Sequence, residues 1–421
     1  MPLTVAIVGA GPAGCYAAEA VARATPDARI DVIERLPVPY GLVRHGVAPD
    51  HQGTKAVTRV LERTLARPTV RVVANVTLGR DVLLVELLEL YDAVVLAIGA
   101  SHDRALGIPG ADLPGVVGSG AFVGWYNGHP DHGQVPPLAT ARNVVIVGNG
   151  NVALDVARIL AKTREELASS DIATAALDAL ANAPLQAIHI VGRRAPDAVR
   201  FSPHELGELG DLARALPRVA APHDTALREM TLPTAPPDRA EVMKLLQAYA
   251  RNDKRGAIDL VFHFELQPLR IEGEGRAVRF VFARGDEEIA LPADLVIGCI
   301  GYHARPFSAE GPVVEGGCYR NEAGRIAERL YAVGWAARGA SGVIPNNRAD
   351  GLAVAKRIIA EVQPGVRPGP AGLDALLASR GVRHHDFAAC KKIESAELAA
   401  AKAPAPRRKF ATIEEMLAAI G

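Results

Sequence analysis

Leu3-Thr4-Val5-Ala6-Ile7-Val8-Gly9-Ala10-Gly11-Pro12-Ala13-Gly14 decides how this chain is read. The first six residues are apolar and rich in β-branched side chains, which suits a strand buried on both faces. Three glycines follow in the spacing G-x-G-x-x-G, and then Cys15-Tyr16-Ala17-Ala18-Glu19-Ala20-Val21-Ala22 carries on as a helix of small residues. Strand, glycine turn and helix in that order predict the opening of a dinucleotide-binding βαβ unit. Gly9 allows the tight turn, Gly11 lets a pyrophosphate approach the backbone, and Gly14 lets helix and strand pack closely. The helix N-terminus then offers free N–H groups to the phosphates. A glycine turn can serve packing alone, so the next strand matters. Arg29-Ile30-Asp31-Val32-Ile33-Glu34 ends in a carboxylate about 20 residues beyond Gly14, where a ribose-binding acid is expected.

The same pattern returns at Asn143-Val144-Val145-Ile146-Val147-Gly148-Asn149-Gly150-Asn151-Val152-Ala153, now as G-x-G-x-x-A. The mostly helical insertion 162–182 separates it from its next strand, Ala187-Ile188-His189-Ile190-Val191. That strand ends in Gly192-Arg193-Arg194, where the first half has Glu34. Asp294 to Gly301 also repeats the style of Asp92 to Gly99. The expected fold is therefore α/β, with two Rossmann-like domains, the second inserted into the first. The expected layout is 1–102 for the first part of an FAD-binding domain, 103–318 for an NADP-binding domain, and 319–421 for the second part with a C-terminal tail. Strand ends assign the ligands. Glu34 accepts from ribose hydroxyls and repels an added phosphate, whereas Arg193 and Arg194 are charged donors to a 2′-phosphate. The loop after Glu34, with Pro37, Pro39, Gly41, Gly46 and Pro49, is irregular yet apolar, which suits a cradle for a flat ring. FAD explains that loop better than a second nicotinamide nucleotide.

Elsewhere the reading is coarser. A helix is expected at 55–65, a strand at 70–78 and a helix-and-loop region over 196–237. Strands at 257–264, 276–282 and 288–291 are expected to be antiparallel, and 396–406 extended. Lys plus Arg equals Asp plus Glu at 47 each, so no global field draws the chain to nucleic acid or anionic membranes. The four cysteines include no C-x-x-C, which argues against a zinc site, a resident iron–sulfur cluster and a redox disulfide, and fits a reducing compartment. No apolar run reaches the roughly 20 residues of a membrane span. With the fold expected to begin at residue 3 and no leader expected before it, the expected location is the cytoplasm.

Pro39-Tyr40-Gly41-Leu42-Val43-Arg44-His45-Gly46-Val47-Ala48-Pro49-Asp50-His51 resembles the signature of ferredoxin–NADP reductases of the adrenodoxin reductase type. Val123 to Asn127, Gly148 to Arg158, Val191 to Arg194, and Val333 to Trp335 with Gly342 to Ile344 are similar to that family in the same order, so the resemblance spans nearly the whole chain. The chain departs from the family at Ala195 beside the arginine pair and at Pro345-Asn346 in the last glycine-rich turn. The resemblance implies FAD contacts at Gly9, Gly11, Ala13, Gly14, Glu34, Leu42, Val47, Val76, Trp335, Gly342, Val343 and Ile344. It implies NADP contacts at Gly148, Gly150, Asn151, Val152, Ala153, Leu154, Arg193, Arg194 and Glu205. His51 and Glu208 are implied as catalytic, proton-handling groups. His51 reads equally as a loop-fixing hydrogen-bonding residue, and Trp335 as a core aromatic.

These implied cofactors set the expected activity. NADPH gives up a hydride, an iron–sulfur partner takes one electron at a time, and a flavin converts between the two. The expected partner is an acidic ferredoxin-type protein, docking on a basic patch. Arg239 to Arg255 and Arg407-Arg408-Lys409 are candidates for that patch, although an ordinary solvated helix face reads the same way. Two other readings compete: a flavin disulfide reductase, and a non-catalytic FAD/NADP module of a larger complex. A monomer is favoured, with the oligomeric state open.

Overall fold

A computed structural model of the chain describes residues 1–231, 236–307 and 311–421. The chain forms two compact units. Residues 1–102, 302–402 and 406–421 make the first, and 103–301 with 403–405 the second. In chain order the first unit begins with β1 (Thr4–Val8), α1 (Pro12–Ala24), β2 (Arg29–Glu34), α2 (Leu42–His45), β3 (Val70–Ala74) and β4 (Ala93–Leu96). The second unit supplies β5 (Val116–Gly118), β6 (Asn143–Val147), α3 (Asn151–Ala161), β7 (Ala187–Val191), α4 (Pro203–Gly207), β8 (Ala215–Val219), β9 (Ile258–His263), β10 (Gln267–Glu272), β11 (Arg279–Arg284), β12 (Glu287–Pro292) and β13 (Leu295–Gly298). The chain then returns with β14 (Arg325–Ala327), β15 (Leu330–Ala332), α5 (Asn346–Glu361) and α6 (Phe387–Ala399).

The first sheet has the order β14-β15-β4-β1-β2-β3, parallel throughout except for the edge strand β14. The second has the order β5-β13-β6-β7-β9-β8 and is wholly parallel. Each is an open, doubly wound sheet, and in each the order reverses beside a strand that leads into a glycine turn. β1 has β2 on one side and β4 on the other; β6 has β7 and β13. Ligands of such sheets sit at the carboxyl end of that strand. The strands read as unbroken apolar runs because both faces are covered: every residue of β1 and β4 is buried. Asp31 interrupts that pattern in β2 and is paired with Arg71 at 2.6 Å, with the Tyr91 hydroxyl donating to the same carboxylate.

Several elements differ from expectation. The inserted unit closes at Gly301, ahead of residue 318. Tyr302 stacks on Trp335 with centroids 5.9 Å apart, and Ala304 packs in one core with Leu330 and Ala332, so this stretch joins the first unit. β9 is a parallel strand inside the second sheet, and the antiparallel sheet is β10-β11-β12. β8 lies inside the region read as helix and loop. Its Pro217 is tolerated because β8 is an edge strand, where one row of N–H groups has no ladder to serve. Positions 232–235 of that region lie outside the described residues. β3 ends at Ala74 because Asn75 takes φ 65°, short of the expected 78. The stretch at 396–406 starts as the last turn of α6, whose N-terminus is capped by Asp386 accepting from the Ala389 N–H at 2.9 Å. Among the described residues no helix is long and apolar enough to cross a membrane.

Candidate functional site

The two glycine turns are bonded alike. In the first unit the Gly9 N–H donates to Ile33 O at 2.7 Å and Ala97 N–H to Val8 O at 2.8 Å. In the second, Gly148 N–H donates to Val191 O at 2.8 Å and Cys299 N–H to Val147 O at 2.8 Å. The leading glycines are demanded by the protein itself. Gly9 has φ 110°, and a Cβ there would lie 2.5 Å from Ala97 O; Gly148 has φ 147°, with Cys299 O at 2.2 Å. The second glycines are not. Gly11 has φ −75° and would set a Cβ in ordinary contact, 3.8 Å from Gly41 Cα. Gly150 has φ −125° and would set one in open space. Neither backbone strain nor packing requires a glycine at these two positions. Each leaves a bare stretch of backbone at the mouth of a helix, the shape a pyrophosphate fills.

In the first unit α1 opens with Pro12 in its first turn, and the buried Ala13 and Gly14 follow. Glu34, 8% exposed, ends β2 with one carboxylate oxygen accepting from Ala10 N–H at 2.9 Å and the other from Leu36 N–H at 3.0 Å. The acid thus ties the glycine turn to β2, and each oxygen keeps a further lone pair for a hydroxyl. Loop 39–51 lies against the same turn: Tyr40 N–H donates to Ala10 O at 2.9 Å, and a Cβ on Gly41 would sit 3.0 Å from Gly11 Cα. Leu42 opens the single turn of α2. Val47 N–H folds back on Leu42 O at 2.7 Å, and the buried Val76 donates to Glu34 O at 2.9 Å. His51 stands before the next short helical turn, its N–H on Ala48 O at 3.1 Å.

The 339–346 turn belongs to the same unit. Ser341 O accepts from the Trp335 indole at 3.0 Å and from Arg338 Nε at 3.1 Å. Gly342 has φ 74°, and Val343 N–H donates to the Asn346 side chain at 2.8 Å. Asn346, at the departure from the family pattern, therefore braces this turn. Asn347 does the same for Ile344, donating to its carbonyl at 3.0 Å.

In the second unit, Asn151 to Leu154 form the first turn of α3. Ala153 and Leu154 bury their side chains completely, so backbone N–H groups are what this end offers to a ligand. The Asn151 side chain accepts from Ser202 N–H at 2.8 Å and so braces the loop before α4. Glu205 and Glu208 share one buried guanidinium: Arg158 reaches them at 3.3 and 2.9 Å and reaches Asp155 at 2.8 Å. Arg193 and Arg194 are exposed at the end of β7, and their side chains make no hydrogen bond or ion pair among the described residues.

Two residues escaped the sequence reading. The Asn149 amide is buried with neither its oxygen nor its nitrogen hydrogen-bonded among the described residues, lying over Gly192, where an added Cβ would be 1.6 Å from its nitrogen. Such a group costs about 1–3 kcal/mol when left unpaired and points to a ligand that satisfies it. The signal was available, because the first turn carries apolar Ala10 at the equivalent position. Arg200 donates its N–H to Asn149 O at 2.9 Å and is exposed beside that turn, a contact across the fold that spacing does not reveal. The candidate basic patches are largely engaged inside their own units. Arg239 donates to Val199 O, Lys244 pairs with Glu241 and Arg255 with Asp259. In the tail, Arg407 pairs with Glu394 and Arg408 with Glu415, while Lys409 is buried.

Comparison with known proteins agrees with this arrangement. Residues 3–191 match the family model described as pyridine nucleotide-disulphide oxidoreductase. The chain is 37% identical to the mitochondrial NADPH:adrenodoxin oxidoreductase of Homo sapiens, over 99% of this chain and 92% of that one. It is 38% identical to the NADPH-ferredoxin reductase FprA of Mycobacterium tuberculosis, over 83% and 82%. The solved structure of that FprA with NADPH superposes with a TM-score of 0.93 at 36% identity, covering both chains completely. With relatives of this identity matched over nearly their whole length, and with two glycine turns on two doubly wound sheets, the chain belongs to the family of ferredoxin–NADP reductases of the adrenodoxin reductase type.

Proposed function

We propose that this flavoprotein oxidoreductase, which passes electrons from NADPH through FAD to a ferredoxin-type iron–sulfur protein, holds its FAD at the Gly9–Gly14 turn and its NADP(H) at the Gly148–Leu154 turn. The observation that carries the assignment is the contrast between the two strand ends. At the end of β2, Glu34 accepts hydroxyl hydrogens and repels phosphate. At the end of β7, Arg193 and Arg194 present donors that no group among the described residues occupies. Bound FAD supplies the conversion from hydride transfer to single-electron transfer. The chain's part is to hold and orient. Gly11 and Gly150 admit the pyrophosphates, Asn149 and Arg200 lie beside the second, and loop 39–51 with Trp335 and Gly342 to Ile344 supplies an apolar wall. Ala13, Leu42, Val47 and Val76 add to the first site, and Asn151, Val152, Ala153, Leu154 and Glu205 to the second. His51 and Glu208 are the proton-handling candidates.

The names of the relatives support an adrenodoxin- or ferredoxin-like acceptor. The four free cysteines support a reducing, cytoplasmic compartment. Disulfide chemistry is disfavoured at the first turn. Cys15 is buried there, with its thiol pushed far up by desolvation and by Glu34, whereas exchange needs an accessible thiolate.

The test is anaerobic. Protein reconstituted with FAD should be yellow, lose its flavin absorbance with NADPH much faster than with NADH, and regain it when an oxidised ferredoxin is added. Failure to take up FAD, or reduction with no transfer to any ferredoxin, overturns the proposal.

A further inference from the structure

Helix α6 carries an expensive residue in its last turn. Glu397 lies in its last turn, where the helix dipole disfavours negative charge, and its side chain is completely buried. A carboxylate taken out of water costs several kcal/mol unless every lone pair is engaged. Here the lone pairs are engaged. Glu397 Oε2 accepts from Arg44 Nη1 at 2.9 Å and Oε1 from Arg44 Nη2 at 2.5 Å, a two-pronged pair. Phe410 N–H adds a bond to Oε1 at 2.7 Å, and Arg407 stands 3.6 Å away. Arg44 is itself 6% exposed, and its carbonyl accepts from the buried Lys409 ammonium at 3.4 Å. Leu36, Val38, Ile393 and Met416 close an apolar cluster around the tail.

Arg44 is the third residue of α2, the single turn within loop 39–51. One side of that loop touches the first glycine turn through Tyr40 and Gly41, and both residues have positive φ, 83° and 48°. Tyr40 has no glycine's freedom, so this conformation persists only if the surroundings impose it. Arg44, on the same loop, is what the tail grips.

We propose that Glu397 is a positioning residue for the flavin site: through Arg44 the C-terminal segment fixes loop 39–51, so that FAD affinity is set by a carboxylate in the last turn of α6. This rests on the reading of loop 39–51 as the flavin cradle. Glu397→Gln keeps the shape, removes the charge and turns an amide donor toward the guanidinium.

The experiment is a titration of apoprotein with FAD, followed by flavin fluorescence, with NADP+ affinity and the apoprotein Tm measured on the same samples. Glu397→Gln is expected to raise the FAD Kd by about tenfold or more while NADP+ affinity stays within about twofold. Arg44→Lys, which cannot form the fork, is expected to do the same. A lowered Tm with an unchanged FAD Kd, the result of a purely structural role, overturns the proposal; so does no change in either. If Glu397→Gln does not fold, the paired replacement of Arg44→Met with Glu397→Met restores a neutral buried contact. It should fold and still bind FAD more weakly than the native chain; native affinity overturns the proposal. Gly11→Ala separates the two levels. If it binds FAD as the native protein does, the flavin-site reading fails; if it weakens FAD and Glu397→Gln does not, the positioning role alone fails.

Discussion

Arg193 and Arg194 carry no duty to the fold. A surface guanidinium with no partner contributes little to stability, so replacing both by Ala should leave the Tm within about 2 °C of native. What the pair offers is two sets of donors to a group bearing two negative charges. A hydrogen bond to a charged group is worth about 1.5–3 kcal/mol, so their loss should reduce the preference for NADPH over NADH by about 10- to 100-fold. The effect belongs in KM for NADPH, with kcat for the two donors little changed, because a 2′-phosphate is held equally in ground and transition states. Steady-state kinetics with both nucleotides checks this, and an unaltered ratio sinks the assignment of the second site. The arginines were legible because charge at a strand end is visible in sequence. Arg200 was not, and Asn149 showed only as a polar residue where the first turn has Ala10. The cost of Asn149 lies in unmade hydrogen bonds, and the place of Arg200 depends on a backbone contact between loops.

Elements were legible where one local pattern dictates them. β1, β4 and β6 are apolar on both faces because both faces are covered, and the turns after β1 and β6 carry their glycines openly. Elements defined by long-range pairing were misread. β9 pairs in parallel because β7 and β8 flank it, and β8 survives a proline because nothing lies beyond it. α6 pairs its buried Glu397 with Arg44, a residue of a loop far away in the chain. β7 and β9 also hold a feature that pattern does not announce. His189 Nδ1 and His263 Nε2 face each other at 3.0 Å. Burial drives both pKa values down, His189 to about 4 and His263 to about 3, with Arg218 adding repulsion to both, Arg284 to His263, and Asp259 opposing it at His189. Both rings are therefore neutral when folded but take up protons near pH 6.5 when unfolded. The unfolded state binds more protons between those values, so stability is full above about pH 6.5 and falls as the pH drops toward 4. The loss over that window should be about 5 kcal/mol. It can be followed by urea unfolding in a Trp335→Phe background, where Trp125 alone reports on the second unit. His263→Phe should flatten the dependence, and a slope unchanged by that replacement would refute the account.

At the scale of the whole molecule, the core is partitioned as the two repeated halves of the sequence suggest. The apolar clusters around β1 and β4, and the small cluster under the tail, draw only on the first unit. Those around β6, and between β6 and the antiparallel sheet, draw only on residues 103–301. An insertion with a private core needs its two ends close together if it is to interrupt another domain without strain. Here they meet: Arg104 N–H donates to Gly301 O at 3.0 Å. The inserted unit thus has the attributes of an independent domain, namely a complete parallel sheet, its own buried apolar side chains and adjoining ends. Residues 103–301 expressed alone should unfold cooperatively in urea and bind NADP+ with affinity near that of the full chain, because the Gly148–Leu154 turn, Arg193 and Arg194 all lie within them. The fragment should take up no FAD, since Gly11, Glu34 and loop 39–51 are outside it. The complementary first unit is interrupted, and β15, which follows the insertion in the chain, pairs with β4, which precedes it. Its folding should therefore lag behind that of the insert in the full chain, giving two refolding phases by stopped-flow fluorescence, with Trp125 recovering before Trp335. An insoluble or molten 103–301 fragment, or simultaneous recovery of the two tryptophans, would show that the halves fold only as one.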